Sequence, residues 1–247
     1  MAEGGWVGET KRDQLLFRPA QAPPGILVAF SQRGIAPEGH DSPTAFLARR
    51  FADALSLDGT PIVRASQVHG NTAAVVQKAP SAGSVHDAGK CDILITDLPG
   101  VALVVQTADC VPILLTSPKA IGAVHAGWRG SALNAAGAAV GALAELGTEP
   151  LSLSAWLGPS IGSCCYEVRG EVAASFAGEF LRPSCDGRYR LDLRAVNRAQ
   201  LEAAGVRPEN IFTHPACTRC GGEKFASYRR DGSAAGRMIA LVLRLAR

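Results

Sequence analysis

No run of about 18 consecutive apolar residues occurs in the chain, so no segment reads as a membrane-spanning helix. The opening residues, MAEGGWVGETKRDQ, lack the apolar core of a secretory signal, and the expectation is a cytoplasmic protein with no membrane partner. Clustered basic residues are missing too. The 25 Lys and Arg against 22 Asp and Glu leave a formal net charge of +3, which argues against a nucleic-acid surface and leaves small anionic ligands open. The seven cysteines are an odd number, and in a reducing compartment they read as thiols or metal ligands and not as a disulfide framework. No repeat or low-complexity segment is present.

What is there suffices for a core. With 247 residues, 47% of them hydrophobic, the chain can bury enough apolar surface to fold without staples, and one domain is expected over residues 25–247. Residues 1–24, ending at the Pro23-Pro24 break, read as a weakly ordered lead. ILVAF at 26–30 is the first expected strand, and a Gly/Pro-rich loop then leads to a helix at about 44–55, with Pro43 before its first turn and Gly59 beyond its end. Further strands are expected over 62–68 and 73–77, and at LSLSAWLG and RMIALVLRL, with helices at about 167–181 and 192–204. The pattern predicts an α+β class: a layered sandwich of mixed β-sheets with outer helices.

The densest signal lies in residues 101–142. VALVVQ, VPILLT and AIGAVH are short, rich in branched aliphatic residues and closed by turn formers, as in strands buried on both faces; a long Ala-rich helix is expected from near Ser131. Polar chemistry sits at the strand ends. Asp109 and Cys110 stand between the first two strands, and His125 ends the third. His69, in the exit of the strand over 62–68, completes a set of two histidines and one cysteine. That mixture suits a zinc site with three protein ligands and an open fourth position. The separations of 41 and 15 positions match no local signature, and each residue alone also reads as a hydrogen-bonded or packing group.

Five motifs extend the reading: QVHG at 67–70, TADCVPILL at 107–115, AVHAGWRG at 123–130, GPSIGSCCYEV at 158–168 and SYRRDG at 227–232. Over about residues 60–245 they resemble the YfiH/LACC1 family, first called multicopper polyphenol oxidases or laccase-like proteins and later purine nucleoside phosphorylases. The resemblance implies zinc held by the residues that fall here on His69, Cys110 and His125. It also implies phosphorolysis of adenosine, inosine, guanosine and methylthioadenosine, together with adenosine deamination, so that the partners are purine nucleosides and phosphate. The N-terminal part departs from the family. Where members carry a Ser/Leu-Asn-Leu-Gly stretch and then Asn-Arg, this chain has SQRGIAPEGHDSP and ARR at 48–50, and of the substrate contacts there Arg33 is the candidate that remains.

Around this core of the site, two readings stand for each further residue. Arg129, before a helix start, suits phosphate, or else stacks on Trp128. Asp109 suits orienting a ligand histidine or exchanging protons with substrate, or else capping a strand end. Arg229 and Arg230 suit an anion at the pocket mouth, or a solvated pair. The vicinal Cys164-Cys165 reads as packing thiols. Cys217 and Cys220 form a Cys-x-x-Cys, but no second one completes a zinc site and no His-x-Glu stands upstream as zinc deaminases require, so a structural role is expected.

Three rivals remain. The same His2Cys set can bind copper, as in a laccase-like polyphenol oxidase. Five histidines are too few for a blue site plus a trinuclear cluster, and Met1 and Met238 are the only methionines for an axial position. A metal-free cysteine hydrolase would use Cys110 as nucleophile and His125 or His69 as base. A binding protein with an inert, closed zinc is the third.

Overall fold

In a computed structural model, which describes residues 5–11, 14–36, 38 and 41–246, the aliphatic runs of the sequence become strands of two facing sheets. The first strands are β1 (Trp6–Lys11), β2 (Gln14–Pro19), β3 (Ile26–Ser31), β4 (Ile62–Arg64), β5 (Ala73–Val75) and β6 (Val85–Asp87). The central ones are β7 (Ile93–Thr96), β8 (Ala102–Thr107), β9 (Val111–Thr116) and β10 (Ile121–Ala126). Then come β11 (Ser154–Leu157), β12 (Glu167–Val168), β13 (Leu181–Pro183), β14 (Tyr189–Leu191), β15 (Ile211–Thr213) and β16 (Met238–Arg244). The α-helices are α1 (Pro43–Ala54), α2 (Trp128–Ala132), α3 (Ala135–Glu145), α4 (Gly170–Ala173), α5 (Leu193–Ala203) and α6 (Tyr228–Asp231).

Both large sheets are mixed. The seven-stranded sheet runs β1-β2-β3-β16-β8-β4-β6 and the six-stranded sheet β15-β11-β9-β10-β7-β5, while β12-β14-β13 form a small third sheet. Three apolar layers hold them. Leu103, Val105 and Val242 of one sheet meet Leu114, Ile121 and Trp156 of the other. Leu47 and Phe51 of α1 cover the outer face of the first sheet against Val104 and Leu241, and α3 and α5 cover the second with Ala139, Leu143 and Val196 on Ile113 and Val124. The result is a helix–sheet–sheet–helix α+β sandwich, the expected class. Because β9 and β10 are covered on both faces, every one of their residues is buried, which explains why they read as unbroken aliphatic runs.

Several elements differ from expectation. Within the supposed weak lead, of which residues 1–4 and 12–13 lie outside those described, β1 and β2 pair antiparallel and join the sheet edge. Trp6 is the anchor: it is buried, with its ring 5.6 Å from Phe30 and 6.3 Å from Trp156. The long Ala-rich helix is two helices, because Asn134 at φ 59° interrupts it and caps α3 by accepting from the Gly137 N–H at 3.2 Å. The helix expected at 167–181 gives way to β12, which pairs with Tyr189 and Arg190, and to the single turn α4.

Candidate metal centre

Beyond β4 the QVHG segment is an irregular loop fastened at two places. The Gln67 amide exchanges hydrogen bonds with the main chain of Gln106 in β8, donating Nε2–H to its carbonyl at 2.9 Å and accepting its N–H at 2.8 Å. The N–H groups of Val68, His69 and Gly70 all donate to the Asp92 carboxylate, at 3.1, 3.0 and 2.7 Å. His69 sits at φ 63°, in the left-handed region, and successive N–H groups converging on one anion make a nest.

Asp92 also fixes the second histidine. It is fully buried just before β7; its Oδ1 lies 2.8 Å from His125 Nδ1, and its carbonyl accepts the His125 N–H at 2.8 Å. Burial works to raise the Asp92 carboxyl, but the hydrogen bond to His125 and those from the loop amides outweigh it and hold the group below the usual carboxylate range. With Nδ1 engaged, Nε2 of His125 is the nitrogen left to face the site. Sequence reading missed Asp92, and its only signal was one acid leading the otherwise apolar run DILIT.

The ligand atoms of His69, Cys110 and His125 all lie within 4.8 Å of one another, and the two imidazole rings stand edge to face at 4.8 Å. His125 is buried, Cys110 half-buried and His69 exposed, so the cluster is a strand-end site open on the side of His69. Burial pushes the Cys110 thiol up. The charge and hydrogen bond of His125 and the hydrogen bond with His69 outweigh it and bring the thiol down to about 6. For His125, burial pulls the other way, and Cys110 and Asp92 lift the imidazole to about 9. The cluster therefore carries a thiolate at neutral pH, the form of cysteine that ligates metals and acts as a nucleophile. Gly127, between His125 and α2, is closely packed on it: a methyl group there would meet Cys110 Sγ and His69 Cδ2, each at 3.0 Å.

The charged candidates take different places. Asp109, at φ 93°, turns away from both histidines: it accepts from the Thr218 hydroxyl at 2.6 Å and from the Arg229 N–H at 2.7 Å, so the orienting carboxylate is Asp92 and not Asp109. The Arg229 guanidinium donates to the Glu167 carbonyl at 2.7 Å and lies 5.2 Å from the Tyr166 ring. Arg129 lies inside the first turn of α2, not before it, and stacks on Trp128 at 4.4 Å. Burial, joined by the charges of Cys110 and Asp109, pushes the Tyr166 phenol up to about 12 against the opposing charges of Arg229 and Arg129, so these groups are within electrostatic reach of one another. Trp128, Tyr166 and Arg229 line a cavity of about 240 Å³. Arg33 is tied elsewhere, donating to the Ala234 carbonyl at 2.9 Å and facing Asp231 at 3.7 Å. Arg230 is consumed structurally, by Asp231 and by carbonyls of the 218–225 loop.

Layered mixed sheets with a cysteine and two histidines gathered at their strand ends make an α+β domain with a candidate two-histidine, one-cysteine centre. The chain belongs to the family described as multi-copper polyphenol oxidoreductase laccase, whose profile matches residues 34–245. It is similar to the purine nucleoside phosphorylase YlmD of Geobacillus stearothermophilus, at 37% identity over 208 residues that cover 78% of this chain and 76% of that protein. The crystal structure of YlmD from that organism superposes with a TM-score of 0.83 at 30% identity, covering 97% of this chain and 99% of that one. The adenosine deaminase RL5 of an unknown prokaryotic organism is 35% identical over 203 residues, 77% of this chain and 78% of that protein.

Proposed function

We propose that this chain is a zinc-dependent purine nucleoside enzyme that phosphorolyses adenosine, inosine, guanosine and methylthioadenosine to free base and sugar 1-phosphate, and deaminates adenosine. One observation carries the metal: two imidazoles and a cysteine sulfur whose ligand atoms lie within 4.8 Å of one another, with one imidazole held by a buried carboxylate. That donor set suits zinc, which takes nitrogen and sulfur at about 2.0–2.3 Å and leaves a fourth position open in sites that do chemistry. Similarity to proteins named purine nucleoside phosphorylase and adenosine deaminase supports the substrate class.

His69, Cys110 and His125 would hold the ion, and when bound it supplies Lewis acidity at the strand ends. The chain's own residues do the rest. Arg229, its main chain held by Asp109 and its guanidinium beside Tyr166, offers a fixed positive charge at the rim of the groove, and Arg129 on Trp128 offers a second. A phosphate held between them is placed to attack the ribose: its oxygen bonds to C1′ as the bond from C1′ to the base nitrogen breaks, and the base leaves with a proton. In deamination, water adds at C6 and ammonia leaves. Asp109 acts here as a positioning residue. Arg33, held at Ala234 and Asp231, is assigned no part at the centre.

A second reading rests on the Cys110, His125 and Asp92 series, which has the order of a nucleophile, base and orienter. Copper is the less favoured metal here because five histidines are too few for a blue site plus a trinuclear cluster. The deciding experiment incubates the purified protein with adenosine, with and without phosphate. Adenine and ribose 1-phosphate are expected only with phosphate, and inosine without it, both lost on chelation and restored by zinc. Turnover that survives exhaustive chelation would move the assignment to the cysteine hydrolase. Gly127→Ala, which presses a methyl group on Cys110 and His69, is expected to weaken zinc binding by about 10- to 100-fold in competition with a chromophoric chelator.

A further inference from the structure

Four of the remaining cysteines, separated in sequence as a vicinal pair and a Cys-x-x-Cys, converge on one point. The Sγ atoms of Cys164, Cys165, Cys217 and Cys220 all lie within 4.8 Å of one another, and that of Cys164 is 3.8 Å from that of Cys220. All four are free thiols. A disulfide would need about 2.05 Å, whereas the edge of a tetrahedron of sulfurs around zinc, at about 2.3 Å per bond, is about 3.8 Å. We propose that these four cysteines form a second metal site, a closed tetrathiolate that takes zinc and ties the 160–166 loop to the 214–221 loop.

The surrounding backbone is built for such a site. Ser160 and Cys217 form a parallel bridge, and the Thr218 N–H donates to the Ser160 carbonyl at 3.0 Å, so the two loops are already in register. The Gly162 N–H donates to Cys217 Sγ at 3.2 Å, the kind of bond that holds a thiolate ligand in orientation. Gly221 follows the Cys-x-x-Cys and donates its N–H to the Cys217 carbonyl at 2.8 Å. A Cβ at Gly221 would stand 2.6 Å from that carbonyl oxygen, so the tight turn that folds Cys220 back toward Cys217 requires glycine.

Charge fits as well. Four thiolates around a divalent ion leave two negative charges, and guanidiniums frame the loops. Arg190 donates to the Cys164 carbonyl at 2.8 Å, while Arg194 donates to the carbonyls of Ser160, His214, Pro215 and Ala216 at 2.8 to 3.2 Å. Four thiolates suit zinc, and with four protein ligands no position is left for substrate. The role is therefore structural. Tyr166 follows Cys165 directly, and Thr218, inside the Cys-x-x-Cys, donates its hydroxyl to the Asp109 carboxylate that holds Arg229. The second ion would brace two walls of the groove beside the first.

The two sites are separable by metal counting. Protein purified under reducing conditions from zinc-supplemented cells is expected to hold two zinc ions per chain by plasma mass spectrometry. Cys110→Ala should retain one, the double variant Cys217→Ser/Cys220→Ser should also retain one, and the combined variant none. X-ray absorption at zinc in Cys110→Ala should show a shell of sulfur alone. That readout leaves the four cysteines untouched, so it stands even where the double variant does not fold. Zinc absent from Cys110→Ala while present in the wild type, or a native mass lighter by two hydrogens from a disulfide among these cysteines, would overturn the second site. Failure of the three-ligand centre appears separately, as wild-type zinc unchanged in Cys110→Ala.

Discussion

Cys110→Ala is expected to cut adenosine turnover by both routes by about 10³-fold or more, and to release one zinc per chain, with the fold retained. The size follows from what the thiolate supplies. A Lewis acid at the reacting centre stabilises developing charge by several kcal/mol, and each ~1.4 kcal/mol is a factor of ten in rate. Two imidazoles alone hold zinc poorly, because the anionic donor is gone. The side chain is small and half-buried at a strand end, so its removal opens little space in the core. In the metal-free chain the substitution has a titration signature. The thiol is brought down to about 6 and the imidazole of His125 lifted to about 9, so a thiolate–imidazolium pair stands between about pH 6 and pH 9. The sign is fixed by linkage: the raised imidazole contributes stability that is full below its ordinary pKa of about 6.5 and is lost as pH rises through 9, while the thiolate's contribution is lost as pH falls through 6. Cys110→Ala removes the charge that does most to lift His125, and nuclear magnetic resonance of the ring should show its titration moving down in pH. An unmoved titration would mean that Asp92 alone holds the imidazolium.

The parts of this molecule that were legible in sequence share a cause. β8, β9 and β10 lie in the middle of the sandwich, where burial on both faces forces aliphatic runs, and the three candidate ligands stand at the ends of such runs or in a loop beside them. The illegible parts depend on contacts that no local pattern announces. In the β1–β2 hairpin, β1 is the sheet edge and its residues beyond Trp6 are mostly exposed, so its alternation is diluted by Gly, Glu and Lys. Asn134 breaks the Ala-rich helix through a left-handed backbone that an asparagine tolerates, without the Gly or Pro that marks a break. Cys164-Cys165 and Cys217-x-x-Cys220 each look incomplete, and only the bridge between Ser160 and Cys217 makes them one cluster. Asp92 was hidden differently, since an acid before a strand reads as a turn residue until its partners are known.

Those partners make Asp92 the residue on which the centre's geometry depends, and Asp92→Asn is expected to cost about 3–5 kcal/mol of stability and to weaken zinc binding by about 10- to 100-fold. The Asp92 side chain, itself without exposure to solvent, accepts from three loop N–H groups and faces His125 Nδ1. An amide of the same shape has one acceptor oxygen and presents an NH₂ group where an acceptor is needed. The N–H groups of the 68–70 loop then lose acceptor capacity, and His125 loses the partner that fixes its ring. The loss should appear in urea as a lower midpoint with unchanged slope. It should also change the acid limb. Asp92 is held below the usual carboxylate range in the folded chain, so it contributes stability that is present above the ordinary carboxylate pKa of about 4 and lost as pH falls through its lowered value; in the variant that decline is missing. Asp109→Asn separates this role from mere acidity near the site. Its carboxylate touches Thr218 and the Arg229 main chain, not the histidines, so zinc content should stay at the wild-type level while KM for phosphate rises. Zinc lost from Asp109→Asn and kept by Asp92→Asn would reverse the assignment of the two carboxylates.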